Sequence, residues 1–202
     1  MLFGTSQRLA RHGRNLQITY QYSLINFVTE YVYLGNLVDN HLSLSSNFER
    51  VYRKACGRLR LLALVRRNLT TNAAELLYKM TILPILTYSS TVKTSFNKTQ
   101  LLKFTSIERR ASSIIGKPVD RISKTIEHNI STMVSKCVRN EFNHEILDNY
   151  FETQNHRKTT RNNGLALKMP KIKLETSRSS FYFGGVKIFN NLPLDVRKSV
   201  LT

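Results

Sequence analysis

Residues 44–67 read LSSNFERVYRKACGRLRLLALVRR. Leu44, Phe48, Val51, Ala55, Leu59 and Leu62 recur every three or four positions, the spacing that gathers side chains on one face of an α-helix. The opposite face carries Arg50, Arg53, Lys54, Arg58, Arg60, Arg66 and Arg67, with no acid between positions 50 and 67. Such a helix has to bury its apolar stripe against other elements and leave the basic side outside. Arg50, Lys54 and Arg58 follow at i, i+4 and i+8, which sets a charge roughly every 6 Å, close to the spacing of phosphates on a strand. Seven like charges repel one another unless a polyanion neutralises them.

Downstream the helical period continues. Asn72 with Glu75 three residues on has the capping-box pattern, and predicts a helix running to the neighbourhood of Pro84 with Leu76, Leu77, Met80 and Leu83 buried. Asn97 with Gln100 predicts another, whose stripe is Leu101, Phe104, Ile107, Ala111, Ile114 and Ile115, and which Gly116 and Pro118 end. Residues 120–152 carry the period on through Ile122, Ile126, Ile130, Val134, Cys137, Phe142 and Ile146 as one or two helices. With six acids against four bases, this segment is expected to face solvent or protein and not phosphate. After Glu152 the composition turns to Asn, Thr, Lys and Arg, and His156, Arg157, Lys158 and Arg161 mark an exposed basic linker. The closing residues alternate weakly at Leu165, Leu167 and Met169, then regain aromatics at Phe181, Tyr182, Phe183 and Phe189. Pro193 opens a short terminal helix.

Upstream, residues 16–38 are rich in β-formers: Leu16, Ile18 and Tyr20, then Ile25, Phe27 and Val28, then Tyr31 to Leu34 and Leu37. They read as three short strands broken at 21–23 and 29–30. Three strands bury one face at most, so a helix or more sheet has to cover the rest. The expected class is α+β and mostly α-helical. A short antiparallel hairpin or three-strand patch occupies 1–43, a helical bundle 44–152, and a basic linker with a small irregular α/β segment 153–202.

The whole chain has 202 residues, 31 of them Lys or Arg and 13 Asp or Glu, a formal charge of +18. That excess points to a polyanionic partner, nucleic acid first and an anionic membrane face second. An apolar content of 41% supplies a core, unlike that of a disordered basic tail. Cys56 and Cys137, 81 positions apart and without CxxC spacing, read as buried thiols of a reducing compartment. No apolar run is long enough to span a bilayer and no signal-peptide core is seen, so a cytoplasmic or nuclear location is expected.

Catalytic chemistry is not legible. Two-metal phosphoryl transfer needs carboxylates gathered around a pair of divalent ions, yet the chain has no Asp-Asp pair, and Glu30 and Asp39 stand nine residues apart. Asp39 before Asn40 reads as a turn residue. His12, His41, His128, His144 and His156 are scattered, and Cys137, His144 and His156 have no metal-ligand spacing. No Gly-rich phosphate loop occurs. No catalytic residue, metal ligand, cofactor or small-molecule substrate is therefore expected, and oligomeric state carries no signal.

The order of features adds a resemblance. Glu30-Tyr31-Val32-Tyr33-Leu34-Gly35 and Asp39, followed by a basic helix with Lys54-Ala55 and Arg58-Leu59, resembles the segment after the catalytic palm in reverse transcriptases of non-LTR (LINE-type, jockey-like) retrotransposons. Leu77-Tyr78-Lys79 with Ile82-Leu83-Pro84 and Tyr88 resembles the next family helix, and Ile107-Glu108-Arg109-Arg110-Ala111 the one after. Arg178-Ser179-Ser180-Phe181, Phe189-Asn190-Asn191-Leu192-Pro193 and Val196-Arg197 resemble the closing segment, where Trp is more usual at the position of Phe189. The resemblance implies a palm remnant over 1–43, with Tyr33, Leu34 and Gly35 in the primer-grip region. It implies a thumb over 44–152 that holds an RNA–DNA hybrid or RNA template-primer through the basic helices, Arg109 and Arg110 included. The family's aromatic-x-Asp-Asp motif lies upstream of this region, and Met1-Leu2-Phe3-Gly4 looks like the strand after it. The reading frame thus resembles a 5′-truncated element expected to lack polymerase activity, although the parent enzyme would use Mg. A stand-alone nucleic-acid-binding module, and a helical interaction protein with an acidic partner, stay open beside this reading.

Overall fold

The computed structural model describes residues 1–12, 17–142, 144–148, 150–153, 166–172 and 175–201. The expected basic linker at His156, Arg157, Lys158 and Arg161, together with Leu16 and Leu165, lies outside them. A short helix α1 (Ser6–His12) precedes two antiparallel hairpins, β1 (Ile18–Tyr20) with β2 (Ser23–Ile25) and β3 (Glu30–Tyr33) with β4 (Asn36–Asp39). The strands thus form two separate two-stranded sheets, antiparallel hairpins as expected, but with four strands where the sequence suggested three. Gln21 and Tyr22 have φ of 46° and 64°, and Leu34 and Gly35 have φ of 45° and 78°. Two central residues with positive φ make the two-residue type I′ turn whose twist suits a hairpin. The third apolar run is therefore folded back on itself at Leu34-Gly35. Residues 1–5 form no strand; the Gly4 N–H instead donates to the Asn40 carbonyl at 3.0 Å.

The helical body follows. It contains α2 (Ser45–Val65), a 3-10 turn (Arg66–Asn68), α3 (Thr71–Thr81), α4 (Leu83–Thr87), a second 3-10 turn (Ser90–Ser95), α5 (Lys98–Ile115) and α6 (Ile122–Val138). After these come the one-turn helices α7 (Glu145–Asp148) and α8 (Glu175–Arg178), then α9 (Phe181–Asn190) and α10 (Leu194–Leu201). The class is α+β and mostly helical, as expected. Phe48, Ala55, Leu59 and Leu62 of α2 are buried with Tyr78, Ile82 and Leu86 and with Phe104, Ile107, Ala111 and Ile115 of α5. The same core continues through Ile122, Ile130 and Val134 of α6 to Val186 and Phe189 of α9. Phe48 stands at its start, its ring centroid 5.2 Å from that of Phe96 and 5.3 Å from that of Phe104.

Local signals set several helix ends. Asn97 and Gln100 close the capping box of α5 reciprocally, at 2.8 and 2.9 Å, and Gly116 at φ 87° ends that helix in the left-handed region. Pro193 precedes α10, and its carbonyl accepts from the Arg197 N–H at 3.1 Å. Helix α3 departs from expectation. Its cap is Thr70, whose side chain accepts from the Ala73 N–H at 3.2 Å, and not Asn72. Glu75 is drawn instead into ion pairs with Lys79, at 2.8 Å, and with Lys117. The buried line is Ala74, Tyr78 and Ile82, while Leu76 and Met80 are exposed, because the small Ala74 lets α3 approach its neighbours on that side.

The join between β4 and α2 positions everything basic. The Asp39 carboxylate, buried at the end of β4, accepts from the N–H groups of His41 and Ser43, each at 3.0 Å, and of Leu44 at 2.6 Å, and from the Ser43 hydroxyl at 3.1 Å. Asn47, buried in the first turn of α2, accepts from the Leu37 N–H at 2.9 Å. Burial alone would raise the Asp39 pKa, but the hydrogen bonds from Ser43, Leu44 and His41 outweigh it and hold the carboxyl below its ordinary 3.8. A carboxyl lowered in the fold contributes stability above its unfolded pKa and loses it as the pH falls through the folded value. Asp39→Ala should cost about 2 kcal/mol at neutral pH by denaturant unfolding. Asp39→Asn should flatten the loss of stability below about pH 4 that the native chain shows.

Candidate nucleic-acid interface

The outward face of α2 carries Arg50, Arg53, Lys54, Arg58 and Arg60, all exposed, and Arg67 is exposed in the turn beyond it. The acid nearest this face, Glu49, is taken by Lys103 of α5 at 2.6 Å, and that ammonium also lies over the Phe48 and Tyr52 rings at 5.4 and 5.5 Å. Arg110 of α5 reaches toward the sulfur of the half-buried Cys56 at 3.9 Å. Cys56 is three residues after Arg53 and four before Arg60, so Arg110 extends the same basic surface from the side. Arg109 is exposed next to it.

Two of the expected arginines have other partners. Arg66 turns inward, its guanidinium donating to the carbonyls of Ile114 at 2.9 Å, Leu69 at 2.7 Å and Ile115 at 3.0 Å, and to the Thr71 hydroxyl at 3.3 Å. It serves the unsatisfied carbonyls at the end of α5, where a cation is also favoured by the helix dipole. Arg66 is thus a staple between helices, not part of the outward face. Arg50 donates to the Gly35 carbonyl. Beyond Arg60 the exposed side of α2 turns apolar, with Leu61, Leu64 and Val65 exposed there.

Tyr33, Leu34 and Gly35 are brought to the same region. The Tyr88 hydroxyl, just after α4, donates to the Leu34 carbonyl at 2.6 Å, and Lys93, buried, donates to the Tyr88 carbonyl. Burial lowers the Lys93 pKa to about 8. A Cβ on Gly35 would stand 3.4 Å from the Tyr88 ring, an ordinary contact, so it is the φ of +78° that favours glycine. Gly35, Arg50, Val51, Lys54, Pro84, Ile85 and Tyr88 line an open cleft of about 520 Å³. Two cations and an aromatic ring on an apolar floor suit a phosphate with its attached base. Tyr88 is the residue here that helical spacing does not mark, because Pro84 and the hairpin turn together define its place.

Neither Glu30 nor Asp39 has a free carboxylate. Glu30 and Asp39 are direct partners across the β3–β4 ladder. Asp39 is occupied by the connection from β4 to α2, however, and Glu30 accepts from the Ser46 hydroxyl at 2.5 Å. Among the described residues no three His, Cys, Asp or Glu side chains gather as a metal site, and no helix is long and apolar enough to cross a membrane.

Gly57 lies between the cations on α2, and a Cβ there would meet nothing within 4 Å. A helical glycine that the fold does not require costs about 1 kcal/mol relative to alanine. Gly57→Ala should therefore raise stability by about that amount in thermal or denaturant unfolding. Arg66→Ala should lower it by about 2 kcal/mol, because three carbonyls lose a charged donor, while Arg53→Ala should change it by less than about 0.5 kcal/mol. Comparison of the chain with protein-family models, with curated proteins and with solved structures finds no match.

Proposed function

We propose that this chain binds nucleic acid as the thumb-like part of a retroelement reverse transcriptase, and that it holds a template-primer duplex without supplying catalytic carboxylates. The observation that carries the reading is the outward face of α2. Arg53, Lys54, Arg58 and Arg60 project from one rigid helix, their nearby acid is already paired, and the Arg50–Lys54–Tyr88 cleft adjoins them. Contacts to phosphate position a protein on a duplex and read little sequence, so binding is weakly sequence-specific and follows duplex shape, with an RNA–DNA hybrid the favoured form. A second reading has one observation in its favour: Leu61, Leu64 and Val65 beside the cations would suit an acidic, amphipathic protein segment.

Salt dependence separates the two. The triple variant Arg53→Gln, Lys54→Gln, Arg58→Gln leaves both Arg50 and Arg66 in their hydrogen bonds, and Gln keeps the helix propensity. By fluorescence anisotropy on a hybrid duplex, it should reduce the slope of log K against log salt by about 2 to 3 and weaken all sequences alike. A folded triple variant with unchanged affinity and slope would remove α2 from the interface. Weak, salt-insensitive binding by the native chain would favour the protein partner.

A further inference from the structure

We propose that two copies of this chain associate through their hairpins, with β3 of one pairing antiparallel with β3 of the other and the β1–β2 hairpins lapping the joint. All residues of β1, β2 and β3 are exposed. Between Ile18 and Leu34, eleven large apolar side chains are 39% to 106% exposed, among them Tyr20, Tyr22, Leu24, Tyr31 and Val32. Side chains of this size at those exposures leave on the order of 1,000 Å² uncovered, against about 800 Å² per partner in a standard interface. Spread over the two hairpins, that is ample apolar surface for such a joint.

Charge and backbone decide the occupant. Residues 17–38 contain a single charged side chain, Glu30, in a chain of net +18. Away from the Gly35 turn, where Arg50 approaches, nucleic acid has no cation of this segment to hold. Strand β4 has its outer edge covered, since Leu37 donates to Asn47 of α2, while among the described residues β3 pairs only with β4. Val32 stands opposite Leu37, so its N–H and C=O point away from β4 toward the free edge. An edge strand of this kind is a template for another strand. A second copy presents the same nearly neutral, apolar strand with the same free edge, and a twofold axis satisfies both edges at once.

The sign of the salt effect tests this independently of nucleic-acid binding. The joint is apolar while the helical bodies repel, so added salt strengthens the dimer, whereas association bridged by a polyanion weakens. Analytical ultracentrifugation of the nuclease-treated full chain should show a monomer–dimer equilibrium that tightens with salt. Val32→Lys should raise the dimer dissociation constant about tenfold or more, with the helical circular dichroism and melting transition kept. Arg53→Gln with Arg58→Gln should leave the dimer intact. If Val32→Lys does not fold, Tyr31→Lys in the same strand makes the test. A chain that stays monomeric at high micromolar concentration and high salt would overturn the proposal, as would unlimited aggregation, a dimer that salt dissolves, or one indifferent to the folded hairpin variant.

Discussion

Where β4 ends, one carboxylate ties down the connection to α2: that of Asp39 accepts four hydrogen bonds, from the N–H groups of His41, Ser43 and Leu44 and from the Ser43 hydroxyl. Leu44 then enters the helix with φ 56° and no side-chain cap of its own, a conformation that costs a leucine energy and persists only where its surroundings fix it. With Asn47 holding Leu37 from the other side, the hairpin and the helix become one rigid corner. Gly35 is then in reach of Arg50, and Leu34 of Tyr88. The cleft beside the basic face exists because this corner is fixed.

The helix that leaves the corner serves two opposite demands. Its inner side is closed by Phe48, Ala55, Leu59 and Leu62 against α5 and the segment around Tyr78 and Ile82. Its outer side concentrates positive charge that the fold does not use. Self-repulsion on that side is tolerated because the inner burial, at roughly 1.5 to 3 kcal/mol for each large side chain, outweighs screened repulsion between exposed charges. Basic residues therefore divide by what they touch. Arg66 and Lys103 are spent on carbonyls and on Glu49, and Lys93 on the Tyr88 carbonyl, whereas Arg53, Lys54, Arg58 and Arg60 remain exposed to solvent.

Legibility in the sequence followed the range of each interaction. Asn97, Gln100 and Gly116 act within one or two turns, and their roles could be read directly. Thr70 and Asn72 are both competent caps, and the choice between them was made by tertiary packing and by Lys117 drawing Glu75 away. Leu76 and Met80 are more apolar than Ala74, yet the closer approach that Ala74 allows turned α3 by part of a turn. The role of Arg66 could not be seen, since its partners Ile114 and Ile115 lie 48 and 49 positions away. The split of the third strand was hidden for another reason: Leu34 is an unusual residue for positive φ, and only the Tyr88 hydroxyl bond to its carbonyl shows what holds it there.

Nucleic acid along the outer side of α2, as proposed, is tested most directly by arginine side-chain resonances. In a titration of the full chain with a short RNA–DNA hybrid, the Nε–Hε signals of Arg53, Arg58 and Arg60 should shift, while that of Arg66, held by the carbonyls of α5, should stay in place. A titration that moves the signals of Arg157 and Arg161 and leaves those three α2 arginines unmoved would contradict the account.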